Sequence, residues 1–178
     1  MSIEWIANGF GIMALIVNFI GYQQNDAQRY RLVAAIALGC LGLHFYLLGQ
    51  LAGAIVLAIA VVRNIVALRY QGQLVLGLFI SVNLAFWAWE WFWLQNHWAE
   101  LFAAYVSSLI FTVGSIRLND ANQIRRWFIA AEGLGLVYAC LVVSIPGALF
   151  NIVNLTSIIS KLWREKSRLQ QADSAPKS

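Results

Sequence analysis

Arg63 and Glu132 each interrupt a long apolar run, LAGAIVLAIAVVRNIVAL and WFIAAEGLGLVYACLVV respectively. A lone charge in such surroundings is expensive, so a guanidinium and a carboxyl of this kind suit an ion pair that forms when one face of a protein closes. The simpler alternatives are an Arg63 stem that reaches a polar boundary about 9 Å away, six residues along a helix, and a Glu132 that finds another partner or is protonated. His44 and Tyr138 place polar-tipped aromatic rings in equally apolar settings. They could line a polar path, with His44 able to carry a proton, or simply bond a neighbouring helix. Asp26 and Asp120 stand beside basic residues, Arg31 and Arg125. A gate pairing Asp26 with Arg125 and Asp120 with Arg31 is one chemistry open to them; capping the free amides of a following helix is the other.

These residues are tied together by an internal echo. Asn25-Asp26-Ala27 recurs as Asn119-Asp120-Ala121, and at the same 94-residue offset Arg31 meets Arg125, Gly39 meets Gly133, and Gly53-Ala54 meets Gly147-Ala148. Residues 15–68 and 109–162 share 13 identities without a gap, several at turn residues, where apolar composition cannot account for them. The chain reads as a duplicated unit, and His44 and Tyr138 are mates within it.

Composition says what must position the residues. With 61% hydrophobic and 11% charged residues in 178, too little polar surface remains to cover a water-soluble globule. Polar punctuation divides the chain into seven stretches long enough for membrane helices: 6–22, 32–49, 51–69, 74–94, 99–116, 127–143 and 145–162. Helices satisfy their own backbone in lipid, and the runs lack the alternation of a barrel. The expectation is an all-α polytopic membrane protein with seven transmembrane helices. The start, with Glu4 and no basic segment, is expected to be a retained helix and not a cleaved signal. Cys40 and Cys140, which lack metal-ligand spacing, are expected to be buried thiols.

Lys and Arg keep to one side. Arg29 and Arg31, Arg69, Arg117, Arg125 and Arg126, and Lys161, Arg164, Lys166, Arg168 and Lys177 flank alternate loops, whereas Gly49-Gln50-Leu51, Gln95-Asn96-His97-Trp98 and Ser144-Ile145-Pro146 hold none. The positive-inside rule then places the N-terminus outside and the C-terminus in the cytoplasm. It also explains the sequence pI of about 9.3 without a nucleic-acid partner.

Three spans per copy is an odd number, so one additional span restores the direction of the second copy. The organisation is a first three-helix unit (1–72), a linker transmembrane helix (73–97), a second three-helix unit (98–163) and a polar cytoplasmic tail (164–178): a 3+1+3 arrangement with parallel halves about an axis normal to the membrane. The linker ends in Trp87, Trp89, Glu90, Trp91 and Trp93. Such a cluster could stack a ring-containing ligand, but it fits an interfacial belt better, with Glu90 turned to headgroups.

This plan, with the polar exit Gly21-Tyr22-Gln23-Gln24 from the first span, resembles the SWEET and PQ-loop transporter superfamily. The stretch Gly42-Leu43-His44-Phe45-Tyr46-Leu47-Leu48-Gly49, followed by Ala52-Gly53-Ala54 and Arg63, is similar to the YgjV family of bacterial inner-membrane proteins. The Pro-Gln pair that names PQ-loop proteins is absent, with Tyr22-Gln23 and Ile116-Arg117 at the two sites. The SWEET likeness implies that Asn151, five residues after Pro146, contacts solute, although the first copy has Ala52 and Leu57 there. It further implies a solute-stacking position at Phe45; packing between helices is the alternative at both residues.

No metal spacing, phosphate loop or Ser, His and acid set appears, so an enzyme is not expected and no cofactor is implied. A small-solute carrier, for a sugar-like or small polar metabolite, is the leading function, with a non-transporting scaffold or regulatory subunit as the alternative. The implied partners are the lipid bilayer and a small polar solute, with self-association into a homo-oligomer left open and nucleic acid excluded.

Overall fold

A computed structural model describes residues 3–22, 27–70, 72–95, 97–118 and 121–174. Within them the regular structure is entirely helical: α1 (Ile3–Tyr22), α2 (Ala27–Leu47), α3 (Leu51–Val66), α4 (Gln73–Trp89, continued by a π-helical turn, Glu90–Leu94), α5 (Trp98–Arg117), α6 (Ala121–Leu141) and α7 (Ile145–Ser174). Among the described residues, four segments are long and apolar enough to cross a membrane: Ile3–Ile20, Gln73–Leu94, Trp98–Arg117 and Ile145–Arg164. Shorter apolar stretches lie in α2 and α3, at Leu32–Leu47 and Leu51–Val66. Helix α7 runs on through Ser174, so most of the polar tail expected after 163 is a continuation of the last helix.

The radial order of side chains is the reverse of that in a water-soluble protein. Large apolar residues such as Ile16, Phe19, Leu74, Leu78, Phe92 and Trp163 are exposed. The interior holds Ala7, Ala14, Ala37, Ala103, Ala104, Ala131 and Ala139 together with His44, Asn83, Glu90 and Thr112. In hydrocarbon nothing is gained by hiding leucine from lipid, so small residues that allow close backbone approach, and polar groups that bond across helices, collect inside.

Packing partners close a ring: α1 on α2, α2 on α3, α3 on α5, α5 on α6, α6 on α7 and α7 back on α1, with α4 outside against α3 and α5. The two seams between halves, α3/α5 and α7/α1, correspond to each other at the 94-residue offset.

Turn geometry repeats at the same offset. Helix α2 closes with bonds from Gly49 N to Tyr46 O (3.0 Å) and from Gln50 N to Phe45 O (2.9 Å). Helix α6 closes with Val143 N to Cys140 O (3.2 Å) and Ser144 N to Ala139 O (2.8 Å). Both are Schellman closures, which require one left-handed residue. Gly49 supplies it at φ 76°, which suits glycine; Val143 supplies it at φ 53°, a strained conformation for a β-branched residue.

Two expectations need correction. Cys140 is exposed, and only Cys40 is buried, because Cys140 falls on the outward face of α6. Glu90 is fully buried instead of turned to headgroups: it accepts a hydrogen bond from the Tyr105 hydroxyl. Trp87 stacks nearly parallel on Tyr105, 6.3 Å between centroids. The wide turn that follows α4 places the carboxyl among these rings, while Trp91, Trp93 and Trp98 stay exposed as a belt would be.

Candidate functional site

At the end of the bundle where α2 and α6 finish, hereafter the turn end, α3 and α7 begin with free amides in their first turns. Gly53 is the third residue of α3 and Gly147 the third of α7. In the second half the problem is solved locally: the Ser144 hydroxyl accepts from Gly147 N at 3.1 Å, an ordinary N-cap. Ser144's mate in the first half is Gln50, whose side chain makes no capping bond. There the amide of Gly53 donates to the Tyr138 hydroxyl of α6, at 2.8 Å.

His44, the mate of Tyr138, reaches the other way. Its Nδ1 lies 2.8 Å from the Ala7 carbonyl oxygen, which can only accept, so Nδ1 carries the proton. Nε2 is then free to accept from the Ser144 hydroxyl at 2.7 Å. Tyr138 thus caps the opposite half directly, and His44 does so through one intervening serine.

Phe45 completes this layer. Its ring meets Tyr138 edge-on at 5.3 Å and lies the same distance from His44. Both glycines are needed for the fit: a β-carbon at Gly53 would lie 2.6 Å from the Tyr138 ring, and one at Gly147 would lie 2.8 Å from Phe45. Gly11 of α1 is equally confined, with Pro146 2.5 Å from any added β-carbon. Thus three residues singled out in the sequence, His44, Phe45 and Tyr138, meet in one buried cluster that seals the ring at the turn end.

About 16 Å deeper, eleven residues along α1 from Ala7, a second layer spans the seams. On α1/α7, Asn18 Nδ2 donates to Asn154 Oδ1 at 2.8 Å, and Asn154 Nδ2 donates to Glu132 Oε1 at 2.8 Å. On α3/α5, Arg63 Nη1 donates to Thr112 Oγ1 at 2.9 Å, and that hydroxyl donates to Ser108 O at 2.8 Å. All six side chains are buried.

The structure does not bring Arg63 and Glu132 together. Glu132 is bonded by Asn154 within the second unit and Arg63 bonds Thr112 across the α3/α5 seam, so the expected ion pair is absent among the described residues. Nor does Arg63 snorkel, being 4% exposed: it faces α5. Asn151 also stands apart from the His44 cluster. Its amide donates to Gly147 O of its own helix at 2.8 Å, and its oxygen lies against Gly135 of α6. Asp26 and Asp120 lie outside the described residues.

Asn18, Ser144 and Thr112 were missed by residue type alone. A usable signal existed for two of them, since Asn18 and Thr112 are mates at the 94-residue offset and are the only polar side chains at that register in α1 and α5. A groove of about 460 Å³ lies elsewhere, on the outside of α4 and α5. Apolar residues line it: Leu84, Trp87, Ala88, Trp91, Trp98 and Phe102.

An apolar exterior around a hydrogen-bonded polar interior defines a multi-pass membrane protein. More specifically, the chain belongs to the Imp-YgjV family of bacterial inner membrane proteins, whose family model matches residues 5–168. It is similar to the inner membrane protein YgjV of Escherichia coli (strain K12), with 25% identity over 83 residues. That match covers 47% of this chain and 45% of the relative, so less than half of the relative's length is aligned. No solved structure matches.

Proposed function

We propose that the chain is a small-solute carrier with a path between two three-helix units, α1–α3 and α5–α7, and that α4 is a linker span. In this reading seven helices cross the membrane in a 3+1+3 arrangement like that of the SWEET proteins. The turn end faces the periplasm, with the N-terminus, and the end rich in Lys and Arg faces the cytoplasm, with the C-terminus.

One observation carries the proposal. The halves hold each other through polar groups that water can replace: the Tyr138 and His44–Ser144 caps at one level, and the Asn18–Asn154 and Arg63–Thr112 bonds at another. A hydrogen bond exchanged for one to water changes the free energy little, typically by about 1 kcal/mol. Seams made this way can part and re-form. An inert scaffold has no use for a histidine, an arginine and a glutamate in its interior, where ionisable side chains are costly.

Accessibility at the turn end tests the proposal. With Cys40 and Cys140 replaced by alanine, a cysteine is introduced at Ser144 and the protein is placed in liposomes with a membrane-impermeant thiol reagent. A carrier exposes position 144 intermittently, so it labels slowly, and a transported solute changes the labelling rate. A panel of sugars and small polar metabolites assayed for uptake in parallel identifies that solute. Complete protection of position 144 together with no uptake of any solute would establish the scaffold reading instead.

A further inference from the structure

The α3/α5 seam holds a cation whose hydrogen-bonding capacity is largely unused. Arg63 is 4% exposed, donates once, to the neutral Thr112 hydroxyl, and leaves Nε without a partner. Among the described residues it pairs with no carboxylate. One turn from Thr112 on the same face of α5, the buried Ser108 hydroxyl is unpartnered as well. Glu132, the one deeply placed acid of the second unit, is engaged by Asn154 on the other seam.

An arginine fork inside a membrane bundle is stabilised by an acceptor that takes two of its parallel N–H groups, and a carboxylate or phosphate oxygen pair has that geometry. Among the described residues no carboxylate pairs with Arg63; the groups left over on this seam, Arg63 Nε and Ser108 Oγ, can donate, and the third unpartnered buried atom, Asn83 Oδ1 of α4, is a single amide acceptor. We propose that Arg63 and Ser108 form the binding site for an oxyanion, the carboxylate or phosphate of a small solute that enters when the α3/α5 seam parts. The guanidinium binds the oxyanion through Nε and a terminal nitrogen, Ser108 donates a further bond, and Thr112 holds the fork in place from the other side. A lipid headgroup could supply the same chemistry, but Arg63 faces α5 and is closed off from the lipid side.

The site takes its purpose from the carrier reading and narrows it to anionic solutes, yet it can be tested without transport. The full chain is placed in nanodiscs of zwitterionic phosphatidylcholine, free of anionic lipid, and its thermal unfolding is followed by tryptophan fluorescence. Acetate, succinate and inorganic phosphate are added in turn, with chloride at matched ionic strength and glucose as controls. At least one oxyanion should raise the midpoint by several degrees over chloride. Arg63→Gln should abolish that rise and unfold at a higher temperature than the parent in anion-free buffer, since it removes an uncompensated buried charge. Arg63→Lys, which keeps the charge but loses the fork, should respond at roughly tenfold higher anion concentration. Should Arg63→Gln fail to fold, Ser108→Ala gives the second arm, with a response weakened several-fold and a normal basal midpoint.

Indifference of the parent protein to all three oxyanions overturns the site, as does an equal response in Arg63→Gln. A response that appears only when anionic lipid is added assigns the position to a headgroup and overturns the solute site. Uptake of a neutral sugar with no oxyanion response removes this inference and leaves the carrier standing. An Arg63-dependent oxyanion response with no uptake of any solute does the reverse.

Discussion

The two seams between the halves are made by corresponding helices, yet one leads to an acid and the other holds a base. Asn18 on α1 and Thr112 on α5 are mates, and each supplies the polar link across its own seam. What they meet differs. Asn18 finds an amide, Asn154, that passes the contact on to a carboxyl, whereas Thr112 finds a guanidinium with donors to spare. In the repeat, Arg63 answers to Ser157 and Glu132 to Leu38, so neither charge is duplicated. Helices that correspond at the 94-residue offset therefore share contacts and turn chemistry, while the acid and the base have no counterparts. The acid accepts a bond from Asn154; the base keeps an Nε without a partner.

The most damaging way to break this comparison is to exchange the charges. Arg63→Glu and Glu132→Arg should each destabilise the protein by about 3 kcal/mol. The double variant should lose the sum, within about 0.5 kcal/mol, because residues without a shared partner behave additively. Equilibrium unfolding in mixed micelles measures all three. Substantial rescue in the double variant would mean that the two charges meet in another state of the molecule, and the seams would then be coupled.

Next in size are the glycines. Gly53→Ala and Gly147→Ala put a methyl into the rings of Tyr138 and Phe45, and each should cost about 2 kcal/mol through overpacking. Equal losses are the outcome expected of mates in equivalent settings. A loss confined to one of them would show that the turn-end cluster is less symmetric than its contacts.

The caps should separate the halves on a finer scale. Tyr138→Phe leaves the Gly53 amide without its partner, a loss of about 1 kcal/mol. Ser144→Ala strips both the Gly147 cap and the acceptor contact of His44, and should cost about 2 kcal/mol by the same reasoning. Losses in the opposite order would place the greater part of the bond energy on the tyrosine.

Smallest is the strained turn. Val143→Gly should stabilise by about 0.5 kcal/mol, the relief of a left-handed valine less the entropy that glycine adds to the unfolded chain. The mate substitution, Gly49→Val, should destabilise by about 1 kcal/mol or more. The same unfolding assay reads both, and a loss on Val143→Gly would mean that the exposed valine side chain makes a contact with lipid worth more than its strain.

Some of this could be read directly from residue order. Seven apolar stretches became seven helices, most of their bounds within a few residues, because lipid-compatible backbone must bond to itself and polar turns mark where it stops. The 94-residue offset was legible because turn and small residues are constrained by backbone geometry, and it foretold that Gly53 and Gly147 would occupy equivalent places. His44 and Tyr138 could be recognised as a pair for the same reason. Their partners could not, since a capping bond depends on which helix end lies opposite, and Gln50 in place of Ser144 gives no hint that a tyrosine from the other half serves instead.

Only tertiary structure separated Arg63 from Glu132. Matching depth along two helices fixes one coordinate; the rotation of each helix and its place in the ring fix the others, and these follow from how small residues on all six helices fit together. The same holds for Glu90, which sequence position assigns to the headgroups and which the wide turn after α4 carries to the Tyr105 hydroxyl. Composition and span length determined that this chain is a helical membrane protein, and residue order carries a gapless echo at a 94-residue offset. Which buried ionisable group meets an amide and which keeps an open donor was decided by packing alone, because an interhelical hydrogen bond needs its two atoms within about 3 Å, a tolerance that no one-dimensional pattern encodes.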